Sequence, residues 1–210
     1  MRIRVGLAED HALVRESLKS LLEHEGFEIV AEAAEGQEAV RQAELQHPDI
    51  MVMDIAMPVL NGLEAARAIS HAFPKVKTIL LTQHDAEPYL SQALDAGVKG
   101  YVLKSQAARD LVEAMRRVSA GEVYLSPGIS RSLMEAYRSK SKKPADSLTP
   151  RERQVLQLVA EGKSTKDVGT ILGISVKTAE SHRTRLMQKL DIHETASLVR
   201  YAVRRGMVQP

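Results

Sequence analysis

The chain contains no cysteine, which excludes a disulfide framework and any thiolate metal site and fits a reducing compartment. No stretch approaches the ~18 apolar residues of a membrane-spanning helix. The opening "MRIRVGLAEDH" lacks the long apolar core of a secretory signal. The expectation is a cytoplasmic protein with no membrane partner. Internal repeats and low-complexity tracts are also absent. What the sequence does have is charge, unevenly placed. Residues 1–120 hold 13 Lys/Arg against 18 Asp/Glu, residues 121–145 hold 5 against 2, and residues 146–210 hold 11 against 7. An acidic front and a basic back hide behind a formal net charge of +2, and the basic back points to an anionic partner. A length of 210 residues has room for two small domains.

Short β-branched apolar runs alternate with helix-period segments up to about residue 120. Ile3 to Leu7, Glu28 to Ala33, Ile50 to Met53, Thr78 to Leu81 and Gly100 to Leu103 read as strands. Val14, Leu18, Leu21 and Leu22, and later Leu111, Met115 and Val118, repeat at helical spacing. Five such units predict an α/β doubly wound, five-stranded parallel sheet.

Ligand sites of open α/β sheets lie at the carboxyl ends of the strands. There the chain places Glu9 and Asp10 after the first strand, Asp54 at the end of the third, Thr82 after the fourth and Lys104 after the fifth. Each residue alone reads as a cap, a turn or a solvated charge; five on one rim are hard to explain that way. Carboxylates crowded together call for a hard divalent cation, and Mg²⁺ takes one or two carboxylates, waters and a phosphate oxygen. With the metal held by Glu9, Asp10 and Asp54, a free oxygen of Asp54 can attack phosphorus, and Lys104 with the metal can neutralise the transferring group. The segment "DIMVMDIAMPVLNG" then makes sense: a buried strand delivers an acid because that acid is a phosphorylation site.

Residues 3–120 resemble the receiver domain of bacterial two-component response regulators. The resemblance rests on Glu9-Asp10, "MDIAMPVLNG", Thr82 and "GYVLK". It implies a flavodoxin-like fold, Asp54 as phosphoacceptor and a sensor histidine kinase as partner. It also casts Thr82 and Tyr101 as a switch pair, the ring turning inward behind the hydroxyl.

The chain beyond Gly121 changes character. "SPGISRSLMEAYRSK" is compatible with a short helix, and "SKSKKPADS" reads as an exposed linker. "LTPRE" supplies Thr149 as N-cap, Pro150 at the first helical position and Glu152 closing a capping box. Gly162, Ser164, Gly173 and Ser175 punctuate two more helices, and a fourth runs from about Thr195 to Arg205, stopped by Gly206. The middle pair has the form of a helix-turn-helix. Val168, Ile171 and Leu172 form the apolar stripe of its first helix; Val176, Ala179, Leu186 and Leu190 form that of the second. Lys177, Ser181, Thr184, Arg185 and Gln188 fall on the opposite side, where donors can reach a major groove.

Residues 147–208 resemble the LuxR-type DNA-binding domain of the NarL/FixJ subfamily, through "LTPRERQVL", "GISVKT", "SHR" and "KL". This implies phosphate contacts from Lys177, Thr178 and the region His182, Arg183, Thr184 and Arg185. It makes Glu180, Ser181 and Thr184 base readers on double-stranded DNA half-sites, and Thr195 to Arg205 a dimerisation helix. Gly169 stands where alanine is usual and should weaken its helix by ~1 kcal/mol. Asp191 stands where glycine is usual. Arg183 points into the apolar stripe and reads either as a packed stem with a snorkelled head or as a phosphate contact; Glu180 reads either as a solvent-facing helix charge or, opposite a base donor such as cytosine, as a base reader. The domains are expected at 1–121 (receiver), 122–146 (linker) and 147–210 (helix-turn-helix, all-α). The expected function is a non-enzymatic transcription factor that forms a homodimer when phosphorylated. A dehalogenase-type phosphatase also uses a strand-end aspartate, but its DxDxT pattern fails at Ala56. A receiver serving only as a dimerisation platform is disfavoured by the complete set of five site residues.

Overall fold

In the computed structural model, residues 2–82, 87–130, 148–205 and 207–208 are described. The first of two compact units contains β1 (Arg4–Ala8), α1 (Ala12–His24), β2 (Glu28–Ala33), α2 (Gly36–Gln46), β3 (Ile50–Asp54), α3 (Gly62–Ala72), β4 (Lys77–Thr82), α4 (Glu87–Asp95), β5 (Gly100–Leu103), α5 (Ala107–Ser119) and β6 (Tyr124–Leu125). The strands pair in parallel in the order β2-β1-β3-β4-β5-β6. The chain leaves β1 for β2 on one side and returns to β3 on the other, so the topological switch point lies between β1 and β3.

The five expected strands are present: β2 and β5 have the expected bounds, β1 is shifted by one residue, and β3 and β4 are longer by one and two. The sheet has a sixth. Tyr124 and Leu125 are too few to show a strand period, and they extend because Tyr124 N–H donates to Lys99 O at 2.9 Å and Ser126 N–H to Tyr101 O at 3.0 Å. Central β3 is buried throughout, as parallel strands covered on both faces must be. The core between the sheet and α1 and α5 gathers Val5, Leu7, Ile50, Val52, Ile79 and Leu81 against Leu18, Leu22, Leu111, Met115 and Val118. Leu18, Leu22 and the α5 triplet face inward as their spacing predicts, whereas Val14 is exposed, since it sits in the first turn of α1, at the rim of the sheet.

Of the expected helix in "SPGISRSLMEAYRSK", Pro127–Ser130 is helical. The remainder, the linker "SKSKKPADS" up to Ser147, and the stop at Gly206 lie outside the described residues.

The second unit holds α6 (Pro150–Ala160), α7 (Thr165–Leu172), α8 (Val176–Leu190) and α9 (Thr195–Arg204). Its helices begin where the caps predict. Thr149 and Glu152 form a complete capping box, Ser164 and Asp167 a second, and the Ser175 hydroxyl accepts from Thr178 N–H. Asp191 closes α8 in the left-handed conformation at φ 53°, taking over the role of the usual glycine, as the short polar side chain of Asp tolerates. Gly169 has a reason for being glycine: a Cβ there would meet the Ile174 carbonyl oxygen at 3.0 Å, because the turn into α8 folds back onto α7. Val168, Ala179 and Leu186 are buried, but Ile171, Leu172 and Leu190 are only half-buried, and Val176 is 45% exposed. Val176 starts α8 and has only the turn beside it.

Glu152 does two jobs. Its carboxylate accepts from Thr149 N–H at 2.8 Å and from Lys189 Nζ at 2.7 Å, tying the start of α6 to the end of α8. Burial opposes its ionisation, but the bonds from Lys189 and Thr149 prevail and hold the carboxyl below its ordinary value of 4.5. A carboxyl depressed in the folded state contributes stability that is present above its unfolded pKa and lost as pH falls through the folded one. Thermal unfolding of the full chain should therefore show the helical unit weakening as pH drops below 4.5. Glu152→Gln should cost about 1–2 kcal/mol near neutrality and flatten that acid dependence.

Candidate functional site

Sheet topology brings four strand ends together at the switch point. β1 runs directly into Glu9, Asp10 and His11; β3 ends in Asp54; β4 ends in Thr82; and β5 runs into Lys104. Glu9 is 0% exposed, and Asp54 and Thr82 are buried with it. Lys104 Nζ lies 2.7 Å from Glu9 Oε2 and 2.9 Å from Asp54 Oδ2. The second contact is an ion pair that leaves Asp54 Oδ2 without an aligned hydrogen-bond donor. Among the described residues this buried oxygen has the Lys104 ion pair and no aligned donor, an uncommon state for a buried polar atom.

The charges are mutually tuned. Burial pushes the Glu9 carboxyl above its ordinary value; the Lys104 hydrogen bond opposes the rise and the Asp54 charge adds to it. Burial would lower the Lys104 ammonium, but the neighbouring Asp54 and Glu9 carboxylates outweigh it, and its pKa is raised.

His11 was not singled out in the sequence reading, and the structure places it in the cluster. Its Nδ1 lies 2.8 Å from Asp10 Oδ1 and 3.2 Å from Glu9 Oε1. The Asp10 charge and the hydrogen bonds that its ring nitrogen makes to both carboxylates raise its pKa. Ligand atoms of Glu9, Asp10 and His11 lie within 4.8 Å of one another, while Asp54 meets Glu9 through Lys104. The sequence signal for His11 was its adjacency to the acidic pair. The carboxylate oxygens of Glu9 and Asp10 are hard donors of the kind that Mg²⁺ takes. Glu9 and Asp10 are not serving as helix caps: His11 is the N-cap of α1 and makes no side-chain cap bond.

Local backbone fixes the acid. Ile55 N–H donates to Leu81 O at 3.1 Å and Gly62 N–H to Ile55 O at 2.9 Å, so the loop after Asp54 folds back on the strand end. A Cβ at Gly62 would overlap the Asp54 carbonyl oxygen, so only glycine lets α3 start this close. Asn61 caps α3 by accepting from Glu64 N–H at 3.0 Å. Tyr101 is turned inward and 1% exposed; burial raises its phenol pKa, and the nearby Thr82 side chain opposes the rise.

In the helical unit, Ser175 caps α8 beside the Gly173 turn. Lys177, Thr178, Glu180, Thr184 and Arg185 are exposed, whereas Ser181, His182 and Arg183 are half-buried. Arg183 donates to Thr195 Oγ1 at 2.7 Å, so it links α8 to the first residue of α9. Leu198 and Ala202 of α9 are buried where that helix packs on α6. Arg200 and Arg204 are on its exposed side.

Residues 5–116 match the response regulator receiver domain, and residues 146–202 match the bacterial regulatory proteins of the luxR family. The chain is a response regulator of the NarL/FixJ subfamily. This response regulator is 36% identical over 217 residues to the oxygen regulatory protein NreC of Staphylococcus epidermidis, covering 99% of this chain and 100% of the relative. It is 34% identical over 226 residues to the transcriptional regulatory protein DegU of Brevibacillus brevis, covering 99% and 96%. Among solved structures it resembles RcsB of Salmonella enterica serovar Typhimurium, solved bound to a promoter in the presence of a phosphomimetic, with a TM-score of 0.68, 28% identity, and 96% and 98% of the two chains covered. The response regulator is thus a transcription factor with a DNA-binding domain, and among its described residues no helix is long and apolar enough to cross a membrane.

Removing the Lys104 ammonium would leave two buried carboxylates facing each other. Lys104→Ala should destabilise the response regulator by about 1–3 kcal/mol near neutral pH. Because the folded-state pKa of Glu9 is raised, proton uptake favours the folded form, and the deficit should shrink as pH falls through that raised value. Urea unfolding at neutral and at mildly acidic pH measures both effects.

Proposed function

We propose that Asp54 accepts a phosphoryl group from a sensor histidine kinase, with Mg²⁺ bound by Glu9, Asp10 and Asp54, and that this modification drives dimerisation and sequence-specific DNA binding in the cytoplasm. The observation that carries the reading is Asp54 Oδ2: buried at the end of β3, ion-paired with Lys104 at 2.9 Å and, among the described residues, lacking an aligned donor. An Asp54 oxygen forms the new P–O bond as the P–N bond of the kinase phosphohistidine breaks. The bonding electron pair leaves with the imidazole nitrogen, which takes up a proton from solvent. Lys104 holds Asp54 in place and neutralises a phosphoryl oxygen. The metal, when bound, supplies further charge neutralisation at the transferring group. The Thr82 hydroxyl follows the phosphoryl group, and Tyr101 occupies the space behind it.

Coupling to DNA follows from population shift: modification favours one of two receiver states, and pairing two helical units raises their effective concentration on two half-sites about one helical turn apart. Lys177, Thr178 and Arg185 face solvent at the start and middle of α8 and suit phosphate contacts. Glu180, Ser181 and Thr184 lie where base edges would be read, with His182 beside them. Arg183, bonded to Thr195, acts by orienting α8 against α9, the proposed dimerisation helix.

Intact mass after incubation with a small acyl phosphate and Mg²⁺ should rise by one phosphoryl group in the wild type. Asp54→Asn and a chelated control should gain none. No gain in the wild type, with acyl phosphate or with a phosphorylated kinase, would leave the receiver as a platform only. On duplex DNA, Lys177→Ala should weaken binding across sequences and reduce the slope of log affinity against log salt by ~1.

A further inference from the structure

The residues from Leu103 to Asp110 carry Lys104 between two anchor points, and a single hydroxyl joins those anchors. Leu103 N–H donates to Ser126 Oγ at 3.3 Å, and Ser126 Oγ donates to Asp110 Oδ2 at 2.7 Å. Ser126 N–H donates to Tyr101 O at 3.0 Å. Ser126 is 0% exposed and Asp110 is buried. Neither belongs to the acidic rim, and the phosphoryl-transfer reading gives neither a role. A buried serine bound on both sides to one segment and a buried carboxylate committed to that serine are costly to keep unless fully satisfied. Here both are satisfied, and both bonds end on the segment that positions the ammonium.

We infer that Ser126 and Asp110 are positioning residues for Lys104. By bridging Leu103 to Asp110 they close the segment that presents Nζ to Glu9 and Asp54, and by holding Tyr101 O they fix the strand that carries the switch tyrosine. The bridge sets where the charge stands relative to the acceptor oxygen, and near-attack geometry is sensitive to errors of an ångström. Ser126 also immediately precedes the helical residues 127–130.

This inference rests on the assignment of Asp54 as phosphoacceptor and Lys104 as its partner, and the test separates the two. In the full chain, phosphorylation rates with a small acyl phosphate are measured at saturating Mg²⁺ across donor concentrations, for wild type, Ser126→Ala, Asp110→Ala and Asp110→Asn, each also followed by thermal unfolding. No phosphorylation of the wild type overturns the assignment of Asp54. Given a phosphorylated wild type, Ser126→Ala and Asp110→Ala should lower the maximal rate about tenfold or more with half-saturating donor unchanged. Asp110→Asn, which keeps an acceptor for the serine hydroxyl, should restore the rate to within about twofold. Should Ser126→Ala fail to fold, the comparison of Asp110→Ala with Asp110→Asn decides alone. Maximal rates at the wild-type level in the alanine variants, or an equal loss in Asp110→Asn, overturn the inference.

Discussion

The contact on which the rest of the receiver depends is the one between Lys104 and the two carboxylates of Glu9 and Asp54. Two buried acids side by side repel each other, and a cation between them makes the arrangement tolerable. The sheet supplies that cation from a different strand for each partner: Glu9 follows β1, Asp54 ends β3, and Lys104 follows β5. Any disturbance that moved β5 relative to β1 and β3 would uncouple the charges. The ion triad therefore reports on the packing of the sheet, and the sheet in turn is held in register by the burial of β3 and β4 between two helical layers.

This dependence explains why the neighbourhood of Lys104 is built so tightly. The strand before it is pinned through Tyr101 O and Leu103 N–H, the helix after it through Asp110, and one serine makes all three bonds. The same logic governs Asp54, where Gly62 lets α3 begin against the strand end and Asn61 caps it. A site that must accept a further charged group benefits from rigid supports and one unsatisfied oxygen, since the incoming charge then finds its counter-charges already placed.

The helical unit solves a different problem with similar means. Its helices pack on one another with no sheet between them, and their ends are secured by local chemistry: two complete capping boxes, a left-handed Asp191 and an ion pair from α6 to α8. With the ends satisfied, the outer face of α8 is left free to carry polar and basic groups that nothing within the unit requires.

Local chemistry was legible from the sequence. Strand and helix identities follow from periods of two and 3.6 among adjacent residues, and Thr149, Ser164, Ser175 and Glu152 reveal their caps within four residues of chain. The five rim residues could be listed because a parallel sheet brings all its carboxyl ends to one edge. Contacts between distant segments were decided only by the tertiary fold. The two-residue β6 exists because β5 offers it backbone partners. His11 joins Glu9 and Asp10 because α1 starts at the rim, Arg183 meets Thr195 because the short connection after α8 brings the first residue of α9 within its reach, and Ser126 reaches Asp110 because β6 lies against α5. Sequence by itself determines which groups a segment can offer; which distant group each one meets depends on strand order and helix packing, which place residues far apart in the chain within hydrogen-bond distance.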